Sequence, residues 1–329
     1  MRIEARIPVR IDFGGPWTDT PEFYENEPEG GATLNAAIVP LIPDATGQLR
    51  PAYVTGVLDT GGSLLDAERE ATEGEPDELP RKEVRGTMVS YKAGIPSSGL
   101  GTSAALNALW LALIKAINED VESFEMRKLI AEKSHRIERE LGIIGGKQDQ
   151  YAAVFGGINL FVFHRDGSVD VNRLELDEGI ISELEGRLIL FDTGKARLSS
   201  KLHEHVWGNY FSGKNRGWLV RMREIAFEMA DALKSGDIDG FGKLMGENWE
   251  CQKALHESIT NEQIESIFDA AMRSGCVGGK ACGAGGGGCL VFLTKSGKRA
   301  DVENALRNMP GVIVQFKFDF EGLKVWRYS

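Results

Sequence analysis

Apolar residues alternate from the start of the chain. Ile3, Ala5, Ile7, Val9, Ile11 and Phe13 share one face, which predicts a strand over residues 2–13 that Gly14-Gly15-Pro16 brings to an end. A loop and a strand near 32–39 follow, and residues 44–92 read as short strands and connections. The apolar spacing then becomes helical. Helices are predicted over 103–118 and 126–141, the second with Ile130, Ser134, Ile137 and Leu141 as its buried stripe. Glu138 lies on the edge of that stripe, away from Glu132, Arg136 and Glu140. A short helix over 149–155, closed by Gly156-Gly157, leads to a strand over 158–163.

Residues 178–186 read as a polar connector, and LILFDTG at 188–194 begins a new buried strand. The boundary between two domains is therefore placed to give 1–185 and 186–329. The second half reads as helices over about 217–235, 238–255 and 261–274, then a glycine loop, the strand CLVFL, a helix near 298–308 and closing strands. Helices layered on a sheet in this way define an α+β class.

Composition narrows the function. With 42% hydrophobic and 26% charged residues in 329, the chain can bury ample core, and its 40 glycines gather in a few loops. A net charge of -11 argues against nucleic acid or an anionic membrane as partner, since both need clustered Lys and Arg. There is no apolar run of roughly twenty residues and no signal peptide, so the cytoplasm is the expected location. Cys251, Cys276, Cys282 and Cys289 lack metal-ligand spacing and are expected as free buried thiols. The acidic run at 66–78 reads as an exposed helix or loop, and a homo-oligomer is compatible with the sequence.

Two nucleotide-binding grammars fail. No GxxxxGK[ST] string occurs, and the GxGxxG of Gly283 to Gly288 is expected to follow a helix and precede a strand, the reverse of a dinucleotide fingerprint. GIPSSGLGTSAAL, from Gly94, instead runs from a strand through a glycine loop into a helix. That order aims free N–H groups and a positive dipole end at the loop, which suits a phosphate, although it also suits a plain capped helix start. Glu138 and Asp149 are open in the same way: an inward Glu wants a cation or a neighbouring base, and an Asp at a helix start is an ordinary cap.

The stretch Pro96-Ser97-Ser98-Gly99-Leu100-Gly101-Thr102-Ser103-Ala104-Ala105 resembles the central motif of the GHMP kinases. PVRIDFGGPWTDTP, Pro8 to Pro21, looks like their first motif, and GGKACGAGGGG, Gly278 to Gly288, is similar to the third. The three occur in order over almost the whole chain. The resemblance implies an N-terminal ribosomal-S5-like domain, a C-terminal ferredoxin-like domain and an active site between them. It implies ATP as donor, with Pro96 to Ala104 around its phosphates, and Mg²⁺ held by Ser103 and Glu138. Asp149 takes the place of the catalytic Asp and Arg10 that of the basic residue steadying it. Thr18, Asp19, Gly285 and Gly286 would join Asp149 around the acceptor.

Within the family, RIDFGGPWTDTP is similar to the branch of L-fucokinase and D-glycero-D-manno-heptose 7-phosphate kinase, which implies transfer to the anomeric hydroxyl of a sugar or sugar phosphate. Pro16 departs from that branch, which carries Gly there. Lys195, Arg197 and Lys201 are either cations for a phosphate on the sugar or a solvated basic patch. For Lys280 no catalytic role is expected, and His135, His203, His205 and His256 are given capping, core or surface roles. Galactokinase-like or arabinokinase-like activity and a non-catalytic sugar or ATP sensor are the alternatives. The joint presence of Arg10, Ser103, Glu138 and Asp149 argues against a sensor.

Overall fold

The single strand expected over 2–13 is two strands in different sheets. In the computed structural model, which describes residues 1–60, 87–93, 99–195 and 200–328, β1 (Arg2–Ile7) and β2 (Val9–Gly14) part at Pro8. Proline has no N–H to give a ladder, so the chain changes sheets there. The acidic run 66–78, Pro96, Ser97, Ser98 and Arg197 lie outside the described residues.

After a four-residue α1 (Pro21–Tyr24) come β3 (Gly31–Pro43), β4 (Leu49–Pro51), β5 (Val54–Thr60) and β6 (Thr87–Ala93). Then follow α2 (Thr102–Lys115), α3 (Phe124–Glu140), α4 (Gln148–Phe155), β7 (Ile158–Phe163) and β8 (Val169–Arg173). The second half runs α5 (Glu178–Arg187), β9 (Leu188–Asp192), α6 (Ser200–Phe211), α7 (Arg216–Lys234) and α8 (Ile238–Lys253). A 3-10 turn (Glu257–Ile259), α9 (Glu262–Ser274), β10 (Cys276–Ala281), β11 (Cys289–Thr294), α10 (Arg299–Leu306), β12 (Val312–Phe318) and β13 (Lys324–Tyr328) complete it.

Further elements differ from expectation, among them a helix over Ser200–Phe211 that was not expected. The connector at 178–186 is helix α5, whose buried Leu184 is its main apolar anchor, too few apolar positions for a clear helical period. The glycine segment before β11 holds strand β10, so the Gly283–Gly288 run is a hairpin connection between two strands. Leu141, expected in the buried stripe of α3, is instead the exposed residue that follows the helix.

Two antiparallel sheets organise the molecule. One has the order β13-β1-β5-β6, so the last strand of the chain pairs with the first, and α2 covers it. The other has nine strands, β10-β11-β9-β12-β3-β7-β8 with β2 and β4 also on β3. The 13-residue β3 is its spine: residues 31–36 pair with β7 and residues 38–41 with β12. Strands from both halves of the sequence thus share one sheet, and one buried apolar cluster runs from Ile3 to Leu323. Among the described residues no helix is long and apolar enough to cross a membrane.

Helix α8 approaches β10 backbone to backbone. A Cβ on Gly278 would stand 2.0 Å from the carbonyl oxygen of Gly242 and 3.1 Å from the amide of Gly246. Backbone cannot yield as a flexible side chain does, so Gly278→Ala should destabilise the protein by about 1–3 kcal/mol as other overpacking substitutions do. Urea denaturation measures this; a change below ~0.5 kcal/mol would show that the helix shifts freely.

Candidate active site

A cleft of about 310 Å³ opens where the start of α2, the start of α4, the turn after β2 and the β10–β11 hairpin converge. Glycines allow the approach. Gly101, the residue before α2, has φ 71°, and a Cβ there would meet the Asp149 carboxylate at 3.2 Å. Gly99 has φ 81° and rests over the base of the hairpin, where a Cβ would stand 3.1 Å from the Cys282 carbonyl oxygen. The N–H groups of the first turn of α2 lack intrahelical acceptors. Thr102, Ser103 and Ala104 all line the cleft, Ser103 is exposed, and the buried Thr102 Oγ1 has no partner among the described residues.

Asp149, the second residue of α4, is held from beneath by Arg10 of β2. The guanidinium donates from Nε at 2.8 Å and from Nη2 at 2.7 Å, both to Oδ1. Oδ2 is left facing Gly101, and the side chain is 27% exposed. Arg10 also donates to the Gly99 carbonyl and lies 3.7 Å from Asp12, while its backbone N–H donates to Leu100 at 3.0 Å. Burial opposes its positive charge, but Asp149 and Asp12 outweigh that and raise its pKa.

Beneath this pair lies a second, fully buried one. Lys280 Nζ sits 2.5 Å from Asp12 Oδ2 and donates to the carbonyls of Ala281 and Asp12 at 2.7 and 3.1 Å. Asp12 Oδ1 accepts from Gly283 N–H at 2.8 Å, which ties the hairpin to β2. Both Asp12 and Lys280 escaped sequence reasoning. A usable signal existed: Arg10 and Asp12 are opposite charges two apart on a strand whose other face is Val9, Ile11 and Phe13.

Two further carboxylates are buried in the walls. Glu138 accepts from Asn107 Nδ2 at 3.0 Å and Gln150 Nε2 at 2.6 Å. Burial, reinforced by the charge on Asp149, pushes its pKa up to about 7 despite those two donors. Asp19 accepts from the Gln148 N–H at 3.0 Å, and burial pushes its pKa to about 7 as well. Gly146 makes that contact feasible, since a Cβ there would fall 1.8 Å from Asp19 Oδ2. Asn107 was legible as the one amide in an otherwise apolar helical run, and Gln148 and Gln150 flank Asp149 in the sequence.

Several expected residues do not meet the cleft with their side chains or amides. Thr18 Oγ1 lies 2.8 Å from the carbonyls of Gly15 and Ala32 and accepts from the Ala32 N–H at 3.0 Å, so its hydroxyl holds the turn together. Leu100 is buried in the core. Gly285 lines the cleft, with Gly287 and Gly288, whereas the Gly286 N–H donates to Ile259 at 2.6 Å. Pro16, Trp17 and His203 line the opposite wall.

A carboxylate clamped by a buried Arg against a helix start is an arrangement chemically able to serve phosphoryl transfer. The sequence matches the GHMP kinases N terminal domain over residues 69–157 and the GHMP kinases C terminal domain over residues 229–311. The chain belongs to the GHMP kinase family, and its phosphoryl donor is accordingly ATP. It is 34% identical over 255 residues to a D-glycero-alpha-D-manno-heptose 7-phosphate kinase of Campylobacter jejuni, covering 76% of this chain and 73% of that one. It is 29% identical over 331 residues to a bifunctional fucokinase/GDP-fucose pyrophosphorylase of Arabidopsis thaliana, 91% of this chain but only 30% of that longer protein. The fold is similar to that of a D-glycero-D-manno-heptose 1-phosphate kinase from Bacteroides thetaiotaomicron, with TM-score 0.70, 23% identity and 99% of each chain covered. It is also similar to a Lactococcus lactis galactokinase solved with galactose, with TM-score 0.66, 16% identity and 99% and 95% of the chains covered.

The raised pKa of Glu138 carries a stability consequence. A carboxyl at about 7 in the folded state, against an ordinary 4.5, favours folding when protonated, and that contribution is lost as pH rises from 4.5 through 7. Glu138→Gln should therefore raise the melting temperature of the ligand-free protein at pH 8, by at least about 2 °C, and the gap should close toward pH 5. Differential scanning fluorimetry at both pH values tests it; a variant less stable than the parent at pH 8 would contradict the burial argument.

Proposed function

We propose that this protein is an ATP-dependent sugar kinase that transfers the γ-phosphoryl group of Mg-ATP to a sugar hydroxyl, the anomeric one, acting in the cytoplasm. The observation that carries the reading is the contact of Asp149 with both Arg10 and the bare Gly101 at the start of α2. Base, cation and phosphate cradle thus share one point. The named relatives act on a heptose 7-phosphate or, through their fucokinase part, on fucose, and these two sugars are the first candidates.

In this reading the N–H groups from Gly101 to Ala104 receive the nucleotide phosphates, as helix starts do. Arg10 adds positive charge beside the group in transfer while holding Asp149 in one orientation. The acceptor hydroxyl loses its proton toward Asp149 Oδ2 as its oxygen bonds to phosphorus and the bond to the ADP oxygen breaks. Asp19 takes hydroxyls of the sugar. The glycines of the hairpin close the cleft below, and the division into 1–185 and 186–329 puts them in the second domain, opposite the phosphate loop.

Mg²⁺ suits the donors present. It binds through one or two carboxylates or hydroxyls together with substrate phosphates, and Ser103 and the under-neutralised Glu138 would hold it. When bound, the ion supplies neutralisation of charge on the phosphates. Thr102 Oγ1, buried without a partner, would gain one from the ligand.

Asp149→Asn should retain Mg-ATP binding and lose turnover by roughly 10²-fold or more. The assay is ATP consumption with L-fucose, D-glycero-D-manno-heptose 7-phosphate, galactose and arabinose, with the phosphorylated position mapped by NMR. Near-normal turnover in the variant would remove Asp149 from the mechanism, and no turnover of any sugar by the wild type would overturn the kinase reading.

A further inference from the structure

Part of the cleft lining is aromatic: Trp17, from the segment Pro8 to Pro21, and His203. Trp17 follows β2 with φ 75°, a left-handed conformation that costs a bulky residue of order 1–2 kcal/mol. The surroundings enforce it. Thr20 Oγ1 donates to the Trp17 carbonyl at 2.9 Å, and the Thr18 hydroxyl locks the next residue to Gly15 and Ala32. The strained turn sets the indole against His203 of α6, with ring centroids 4.4 Å apart, and edge-on to Trp207 at 5.8 Å. Trp207 packs on Tyr210, whose hydroxyl donates to the buried Glu27 at 2.7 Å, and Glu27 is fixed by Arg216 at 2.6 Å.

Two nitrogens in that wall have no partner among the described residues. Trp17 is 3% exposed and His203 8% exposed, yet Trp17 Nε1 and His203 Nδ1 are unpaired there although both residues line the cleft. More than nine in ten buried polar groups in folded proteins are paired. The Gln148 side chain also lines the cleft, with its amide nitrogen 3.4 Å from Asp19 Oδ1 and its oxygen without a partner among the described residues. Trp207 Nε1 also lacks a partner, but Trp207 does not line the cleft and only buttresses the wall from behind.

We propose that Trp17 and His203 form the surface that selects the acceptor, the indole N–H and imidazole Nδ1 each hydrogen-bonding an uncharged hydroxyl of the sugar while Gln148 and Asp19 take hydroxyls on its other side. The proposal rests on the sugar-kinase reading. Burial holds the His203 pKa near 4, so the ring is neutral at working pH, although Glu22 lies close enough to favour its charge and Arg139 to oppose it. A neutral donor and a neutral ring nitrogen suit a hydroxyl. A phosphate or carboxylate would need cations there, so any phosphate carried by the substrate must lie away from this wall.

The test uses the full-length protein and whichever sugar of the kinase panel the wild type phosphorylates best. Trp17→Phe keeps a ring and removes the N–H; His203→Leu keeps bulk and removes the nitrogen; His203→Gln keeps a hydrogen-bonding group. Trp17→Phe and His203→Leu are each expected to raise KM for the sugar about tenfold and to leave KM for ATP within about twofold, with His203→Gln recovering most of the loss. Against a set of monodeoxy analogues of that sugar, each variant should lose the wild-type penalty at one position, which a merely structural defect would not do. Unchanged sugar KM in both variants, equal rises for sugar and ATP, or an unaltered deoxy profile would overturn the proposal while leaving the kinase intact. A wild type that phosphorylates no sugar overturns the kinase reading itself, and this inference with it.

Discussion

Four charges in alternation, Lys280, Asp12, Arg10 and Asp149, join a C-terminal hairpin to an N-terminal strand and then to the helix that faces the cleft. Lys280 and Asp12 are fully buried and Arg10 nearly so, and removing such groups from water costs several kcal/mol per ion unless each meets an opposite charge in good geometry. Each does, in sequence, and only the last member reaches solvent. The arrangement can form only when β2, β10 and α4 are all in place, because each supplies a member. A site that needs a carboxylate held to one orientation thus obtains it from contacts that also fix how the two halves of the chain meet. Gly283 adds a backbone tie to the same Asp12, so the hairpin under the cleft is set by the interaction that sets the base above it.

The two wall carboxylates follow the opposite logic. Glu138 and Asp19 are buried with amide donors but no cation in contact, and both have pKa values raised to about 7. Replacing either by a neutral polar group would relieve the ligand-free fold, so their retention is a local cost that a bound cation or a hydroxylated ligand offsets. The cleft is built to be completed. Its electrostatics divide it accordingly: a buried Glu138 without a cation beside the anion-favouring start of α2, and a side near Asp19 that wants donors.

Much of this was legible in the chain, with losses that have particular causes. The helices α3, α7, α8 and α9 show in their spacing because each buries one face. Helix α6 carries Leu202, Val206, Trp207 and Tyr210 on one face, a helical spacing easily passed over in a stretch interrupted by His, Glu and Gly. Strand β10 hides because Gly278 serves the close approach of α8 and Gly279 that of Val291 and Phe292 on β11, which leaves no apolar alternation. Arg10, Glu138 and Asp149 are found by resemblance, whereas the pairing of Asp12 with Lys280 spans 268 positions, so the charge alternation of Arg10 and Asp12 hints at one partner and nothing local points to the other. Thr18 shows the converse difficulty. A Thr-Asp pair reads as two ligands, but the hydroxyl is consumed by three backbone contacts and only the Asp side chain lines the cleft.

The ten residues from Arg10 to Asp19 explain how one short segment serves both sides of the reaction. While the chain is a strand, alternate residues face the same way, so Arg10 and Asp12 share the polar face and supply the charged relay. Beyond the bulge between Asp12 and Gly14 that register ends, and Gly15, at φ 76°, turns the chain where a Cβ would collide with the Ala32 carbonyl at 2.0 Å. Trp17 and Asp19 then leave the turn toward the acceptor side, with Thr18 between them anchored to the scaffold. Pro16 belongs to this change of direction: it restricts Gly15 before it and has no N–H to satisfy in a turn whose other groups are already engaged. A strained tryptophan is tolerable there because the turn is tied at Gly15, Thr18 and Thr20 by hydrogen bonds between side chains and backbone: Asn248 accepts from Gly15, and the Thr18 and Thr20 hydroxyls donate to Gly15 and Trp17. On the proposed function, one continuous, multiply anchored piece of backbone would set the distance between phosphoryl group and sugar, an economical way to keep two substrates in register for an in-line transfer.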